Sequence, residues 1–207
     1  MISTMPKNLK QTYDYIAEGF YVTVKDHNWS DKYLKRFVES LSKNAKILDL
    51  GGGPGVDTKK LLKYSTNITA VDLSPEMIKF VKKIAPKAKA MTMDFYKLKF
   101  KPNTFDGIFA KACLLHVPKK RLLRVLKSLN NILRTNGKIL VLIKAGRGER
   151  VVTDNHHLLK TDRFFSFHSQ KEFAQYLEKA NFTILDTEKV KNPKGHRNWL
   201  YYLAQKK

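Results

Sequence analysis

The chain has 207 residues, with 40 Lys+Arg against 18 Asp+Glu, a formal net charge of +22, 43% apolar and 11% aromatic content. That is enough to bury one core and too apolar for a disordered polybasic tail, and no apolar run approaches the ~18 to 20 residues that span a bilayer. A membrane-spanning helix is excluded, and the expected compartment is the cytoplasm: Cys113 stands alone, and the opening MISTMPKNLK lacks the apolar centre of a signal peptide.

Two amphipathic stretches come first, 9–24 and 31–41. They precede the sheet, and the segment 1–44 is expected to form an N-terminal helical lid over a core that runs from 45 to 207, all in one domain. Short apolar strands then alternate with helical patterns, the signature of a doubly wound α/β sheet. Strands are expected at 46–50, from Ile68, from Ala88, from Thr104 and at 138–144. Helices are expected at 56–63, at 74–84 with Ser74 as cap and Pro75 in the first turn, and at 119–133, stopping at Asn136-Gly137. A polar loop is expected from 145 to 162, a helix from 170 to 179, and two strand-like runs, FTILDTEKV and WLYYLAQ, close the chain as an antiparallel hairpin. The fold class is therefore α/β, a Rossmann-like, mostly parallel, seven-stranded sheet with that hairpin at its edge.

The densest chemistry lies in LDLGGGPGVD, a glycine-rich turn between a strand and a helix, where the missing Cβ lets the chain bend and a ligand approach. Asp72 ends the next strand 21 residues after Gly51, where a carboxylate accepts from both hydroxyls of a ribose. Gly51, Gly53 and Gly55 read GxGxG and not the dinucleotide GxGxxG, and Pro54 removes a backbone donor that a pyrophosphate needs. Met93-Asp94-Phe95 ends the third strand with a carboxylate for an exocyclic amine and an apolar cover for a purine. These residues suit adenosine without phosphates.

With LDLGGGPG, AVDLSPEMI, MDF, FDGIFAKACLLHVP and LRTNGKILVLIK in this order, the chain resembles the class I S-adenosylmethionine-dependent methyltransferases of the type 11 group, from about Tyr13 onward. The resemblance implies that Asp49, Gly51, Gly53 and Gly55 underlie the methionine part of S-adenosylmethionine. By the same resemblance Asp72 holds the ribose with Leu73 and Met77 near the adenine, Asp94 and the Phe95 backbone read the adenine amine, and Ala110 and Lys111 face the methionine end.

Methyl transfer from a sulfonium is an in-line displacement that asks for positioning and, at times, removal of an acceptor proton. His116 is the candidate base, with a structural tie to a backbone carbonyl as its alternative role. Tyr13 and Tyr21 are candidates for closing over the cofactor, and Arg147, Arg150, Arg163 and His168 for bordering the acceptor pocket. Asp106 is expected to orient a neighbouring loop, and Cys113 to pack. No metal is expected, since His156, His157, His168 and His196 lack ligand spacing.

Lys outnumbers Arg 32 to 8, and 79–127 holds fourteen basic residues against Asp94 and Asp106. Such a face can bind RNA through phosphates or can simply be solvated. A small-molecule acceptor is favoured over tRNA or rRNA, with a monomer or weak homodimer as the expected state. Phe109-Ala110-Lys111-Ala112 lacks the Asn/Asp-Pro-Pro-Tyr/Phe arrangement of many base and glutamine methyltransferases. A nicotinamide oxidoreductase and a non-catalytic S-adenosylmethionine- or RNA-binding module are the competing readings.

Overall fold

The computed structural model describes residues 8–156, 159–190 and 198–207. Helices α1 (Leu9–Val24) and α2 (Asp31–Glu39) lead into β1 (Ile47–Leu50), α3 (Val56–Leu61), β2 (Ile68–Asp72), α4 (Pro75–Ile84), β3 (Lys89–Thr92) and β4 (Phe105–Lys111). Then follow α5 (Lys119–Ile132), β5 (Leu133–Lys144), β6 (Glu149–His156), β7 (Leu159–Ser166), α6 (Gln170–Lys179), β8 (Phe182–Val190) and β9 (Trp199–Lys206).

Seven strands form one sheet in the order β3-β2-β1-β4-β5-β9-β8. Strands β1 to β5 are parallel, and β9 and then β8 add antiparallel to β5. The order reverses between β1 and β4, and a ligand crevice opens at the carboxyl ends of strands on either side of such a switch. All four residues of β1 are buried, as befits a parallel strand covered on both faces. Local chemistry sets the helix starts: Ser74 caps α4 through the Met77 N–H with Pro75 in the first turn, and Ser169 and Glu172 form a capping box at α6.

Three expectations are corrected. The segment 145–162 is not a loop: β6 and β7 form a separate antiparallel hairpin, registered from Glu149↔Ser166 to His156↔Leu159. Its inward face carries Thr161 and Arg163 beside Phe165, so burial alternates along β7 while hydropathy does not. Helix α5 ends at Ile132 and passes straight into β5, where Asn136 takes φ +62 inside the strand; the sequence reading placed the helix stop at Asn136-Gly137. Finally, α2 is no lid. Tyr33, Leu34, Phe37 and Val38 are buried on it, and a Cβ at Gly107 of β4 would press into the Phe37 ring, so α2 belongs to the sheet's own core. Burying side chains of this size stabilises by about 2 kcal/mol each.

Candidate functional site

A cavity of about 300 Å³ opens over the carboxyl ends of β1, β2, β4 and β5. Its glycine-loop end is built from Gly51 to Pro54, Val56, Asp57, Asp72, Leu73, Met93 and Phe95, and its hairpin end from His116, Lys144, Arg163, Phe165 and Trp199. Leu9, Tyr13, Phe20, Thr23 and Val24 of helix α1 and His27 and Trp29 of the following turn also line it.

At the glycine-loop end the backbone does most of the work. Gly51 sits at φ +65, and a Cβ there would collide with the Cys113 Cβ. The Asp72 carboxylate accepts from the Gly53 N–H at 2.9 Å and from the Ser74 N–H at 2.9 Å, which ties the glycine loop to the end of β2. Burial pushes the Asp72 carboxyl above its usual range, against those N–H donors, which favour the ionised form. Asp57, in the first turn of α3, pairs with Lys111 at 2.8 Å. Both residues of this pair line the cavity.

At the hairpin end the side chains do it. Arg163 donates to the Tyr13 hydroxyl at 2.9 Å, and Tyr13 lies 2.7 Å from His116 Nε2. His116 Nδ1 lies 2.8 Å from the Phe164 carbonyl. A carbonyl only accepts, so Nδ1 carries the proton, and a neutral ring then presents Nε2 as acceptor to the Tyr13 O–H, a tautomer assigned from these partners. Burial raises the Tyr13 phenol above its usual pKa, with Arg163 pulling the other way. Lys144 Nζ stands 3.9 Å from the Phe165 ring centre, and Arg163 Cζ 5.2 Å from the same centre.

Of the eleven residues expected at the cofactor and the candidate base His116, Gly51, Gly53, Asp72, Leu73, Phe95, Lys111 and His116 line this cavity. The other five do not. Asp49 lies beneath the loop, where it accepts from the Thr58 hydroxyl at 2.6 Å and burial lifts its carboxyl to about 7. Gly55, at φ +87, lets the start of α3 meet Val81, against which a Cβ would crowd the backbone at 3.0 Å. Met77 and Ala110 are fully buried, and Asp94 turns its carboxylate to the Tyr96 N–H at 2.8 Å.

The outer candidates divide as well. Tyr13 and Arg163 reach the cavity, whereas Tyr21 stacks on Phe80 and Arg150 lies over Phe167, 3.7 Å from its ring centre. Arg147 and His168 line a second hollow beside Gln170. Burial draws the His168 imidazole down to about 4. Asp106 accepts from the Lys46 N–H at 2.7 Å and from Arg134, a structural tie. Cys113 is buried, with its thiol pushed well above its usual pKa by burial. His157 and His196 lie outside the described residues, as does the side chain of His156. Lys144 and Trp199 were not singled out; a lysine closing the apolar run KILVLIK is the one signal the sequence offers for the former.

No helix among the described residues is long and apolar enough to cross a membrane. Among them no group of three or more His, Cys, Asp or Glu could hold a metal ion.

A family model described as a methyltransferase domain matches residues 47–137. An uncharacterized methyltransferase of Schizosaccharomyces pombe is 27% identical over 214 residues, covering 89% of this chain and 81% of the relative. A sterol 4-C-methyltransferase of Caenorhabditis elegans is 27% identical over 78% of this chain but 51% of its own length, so the chain spans about half of that relative. In fold, the chain matches the crystal structure of Burkholderia thailandensis 1,6-didemethyltoxoflavin-N1-methyltransferase, with bound 1,6-didemethyltoxoflavin and S-adenosylhomocysteine. The TM-score is 0.72 at 22% identity, over 99% of this chain and 93% of that one.

Proposed function

We propose that this chain, which belongs to the class I S-adenosylmethionine-dependent methyltransferases, transfers the methyl group of S-adenosylmethionine to a small-molecule acceptor held at the hairpin end of its cavity. The observation that carries this reading is the pairing of a glycine loop with two carboxylates, Asp57 and Asp72, around one end of a cavity at the sheet's switch point. An adenosyl donor fits there: Asp72 offers oxygens to a ribose, Leu73, Met93 and Phe95 offer apolar cover to an adenine, and Asp57 with Pro54 disfavours a pyrophosphate. When bound, that donor supplies an activated methyl on a sulfonium.

The residues of the chain then have three tasks. Gly51 and Gly53 keep the loop backbone free of side chains, so that a ligand reaches it. Helix α1 and the β6–β7 hairpin wall the far end from water. His116 Nε2 takes a proton from an oxygen or nitrogen acceptor, with the Tyr13 hydroxyl giving its own proton to Nε2 and receiving the acceptor's in its place, while the Phe164 carbonyl holds the ring.

A small molecule is favoured over RNA because Tyr13 and the rest of α1 lie over the cavity. Incubation with labelled S-adenosylmethionine and either a metabolite extract or total RNA tests both. Label in small acids or amines supports the reading, label in RNA replaces it, and stabilisation by NAD with none by S-adenosylmethionine ends it. If the basic surface holds tRNA, retention falls steeply between low and physiological salt.

A further inference from the structure

The end of the sheet opposite the cavity has a different chemistry. Register brings the starts of β1, β2, β3, β4 and β8 and the close of β9 to that end. The segments there, 40–46, 62–67, 85–88, 98–104, 134–138, 180–181 and 206–207, hold ten Lys and Arg and no Asp or Glu. Side-chain bonds join neighbouring segments into one face: Lys138 Nζ donates to the Ser40 carbonyl at 2.6 Å and Lys206 Nζ to Asn103 Oδ1 at 3.0 Å, while Arg134 pairs with Asp106 of β4 at 2.7 Å. Lys43, Lys63, Lys87, Lys99, Lys101 and Lys207 are exposed, and none of these six pairs with a carboxylate of another described residue. Tyr64, beside Lys63, is 46% exposed; the other exposed large apolar side chains among the described residues, Tyr15, Val22, Val151 and Leu185, lie outside these segments.

A lysine-rich composition raises cations everywhere, but it does not clear carboxylates from seven segments scattered along the chain while leaving Asp49, Asp57, Asp72 and Asp94 toward the other end. Like charges gathered on one face repel one another and attract a polyanion. Seven strands at ~4.8 Å spacing make the face about 29 Å wide, room for several phosphates in a row. Lysine dominates, and Arg134 is tied to Asp106, so phosphates are met as point charges and base edges are not read. The exposed Tyr64 ring adds a platform on which a base of any identity stacks. A lipid surface asks for apolar side chains that insert, and beyond Tyr64 the face exposes none. We propose that this face docks single-stranded nucleic acid without sequence preference. It lies at the end of the sheet away from the cavity, so the strand is a docking partner and not the methyl acceptor.

The test is fluorescence anisotropy on the full chain with labelled single strands of about 20 nucleotides, an oligouridylate and an oligodeoxythymidylate, at 50 and 200 mM KCl. Binding is expected, ten-fold or more weaker at the higher salt, and the tighter strand tells RNA from DNA as the source. Lys63→Gln, Lys87→Gln and Lys101→Gln together are expected to cost ten-fold or more. Lys79→Gln, Lys120→Gln and Lys171→Gln, on α4, α5 and α6, lower the net charge equally and are expected to cost about three-fold at most. Tyr64→Ala is expected to cost about five-fold with the salt dependence unchanged, as loss of one stacked base requires. A urea midpoint equal to the parent's reports that a variant is folded; should a triple variant not fold, Tyr64→Ala and the salt dependence of the unaltered chain decide. Equal losses in the two triple variants mean attraction to net charge alone and overturn the inference. So do binding of neither strand, affinity indifferent to salt, or tighter binding to vesicles of phosphatidylcholine with phosphatidylserine. The labelled-donor assay reads the cavity separately, so this inference and the methyltransferase reading can each fail alone.

Discussion

At the glycine-loop end of the cavity, Gly51 to Pro54, Asp72 and Phe95 come from three successive turns after β1, β2 and β3, and their bonds run to backbone N–H groups. At the hairpin end, Tyr13, His116, Lys144, Arg163 and Trp199 come from five segments, and the bond from Arg163 to the Tyr13 hydroxyl spans 150 positions in sequence. The first end is a property of local turns repeated in one sheet. The second is a property of side chains that meet only when a helix, a hairpin and the last strand are in place. A binding end built from backbone tolerates little change at its glycines, whereas an end built from side chains can be re-specified one residue at a time.

The largest effect is expected at the backbone end. Gly51→Ala forces a Cβ into Cys113 at φ +65 and should cost about 3 kcal/mol in urea unfolding, whereas Gly53→Ala, whose Cβ would meet Phe20 at an ordinary 3.7 Å, should cost about 1. Equal costs would show that the loop is softer than its contacts require. Next, Asp72→Ala should weaken S-adenosylmethionine binding by about 2 kcal/mol, roughly thirty-fold, from the loss of charged hydrogen bonds; unchanged affinity in calorimetry would place the nucleoside elsewhere.

Tyr13→Phe tests the separation of the two ends directly. It removes the hydroxyl between Arg163 and His116 and should lower turnover by about 1.4 kcal/mol, ten-fold, with donor affinity kept within about two-fold. A matching loss of donor affinity would show that the ends act as one unit.

A further effect is read against pH and concerns Asp49, whose carboxyl is raised to about 7 by burial. Between pH 4 and 7 the folded chain holds this proton and the unfolded chain does not, so this group lowers stability as pH rises through that window. Asn at position 49 carries no such proton, and Asp49→Asn should gain relative to the parent in urea midpoint from pH 4 to pH 7 and level off above. A constant difference across that range would mean the carboxylate is ionised beneath the loop.

Local chemistry in the sequence was enough to mark the glycine-loop turn and the mostly parallel, seven-stranded α/β class of sheet, while the strand order came from the structure. Glycine spacing, Pro54, Ser74 and the carboxylate at Asp72 are turn chemistry, legible because each acts on residues within a few positions of itself. Hydropathy patterns likewise marked α1, α6 and the closing strands β8 and β9. Only the tertiary structure decided that Asp49 accepts from the Thr58 hydroxyl and Asp94 from the Tyr96 N–H, that α2 is core, and that Lys144, Arg163 and Trp199 line one cavity. A carboxylate's direction depends on which N–H or hydroxyl the packed chain brings to it, and β7 hides its burial pattern by placing Thr161 and Arg163 on the inward face. At the hairpin end Tyr13, His116 and Arg163 were expected near the site, whereas Lys144 and Trp199 could not be read, because the register of β5 on β9 brings them to it and no local pattern records that register.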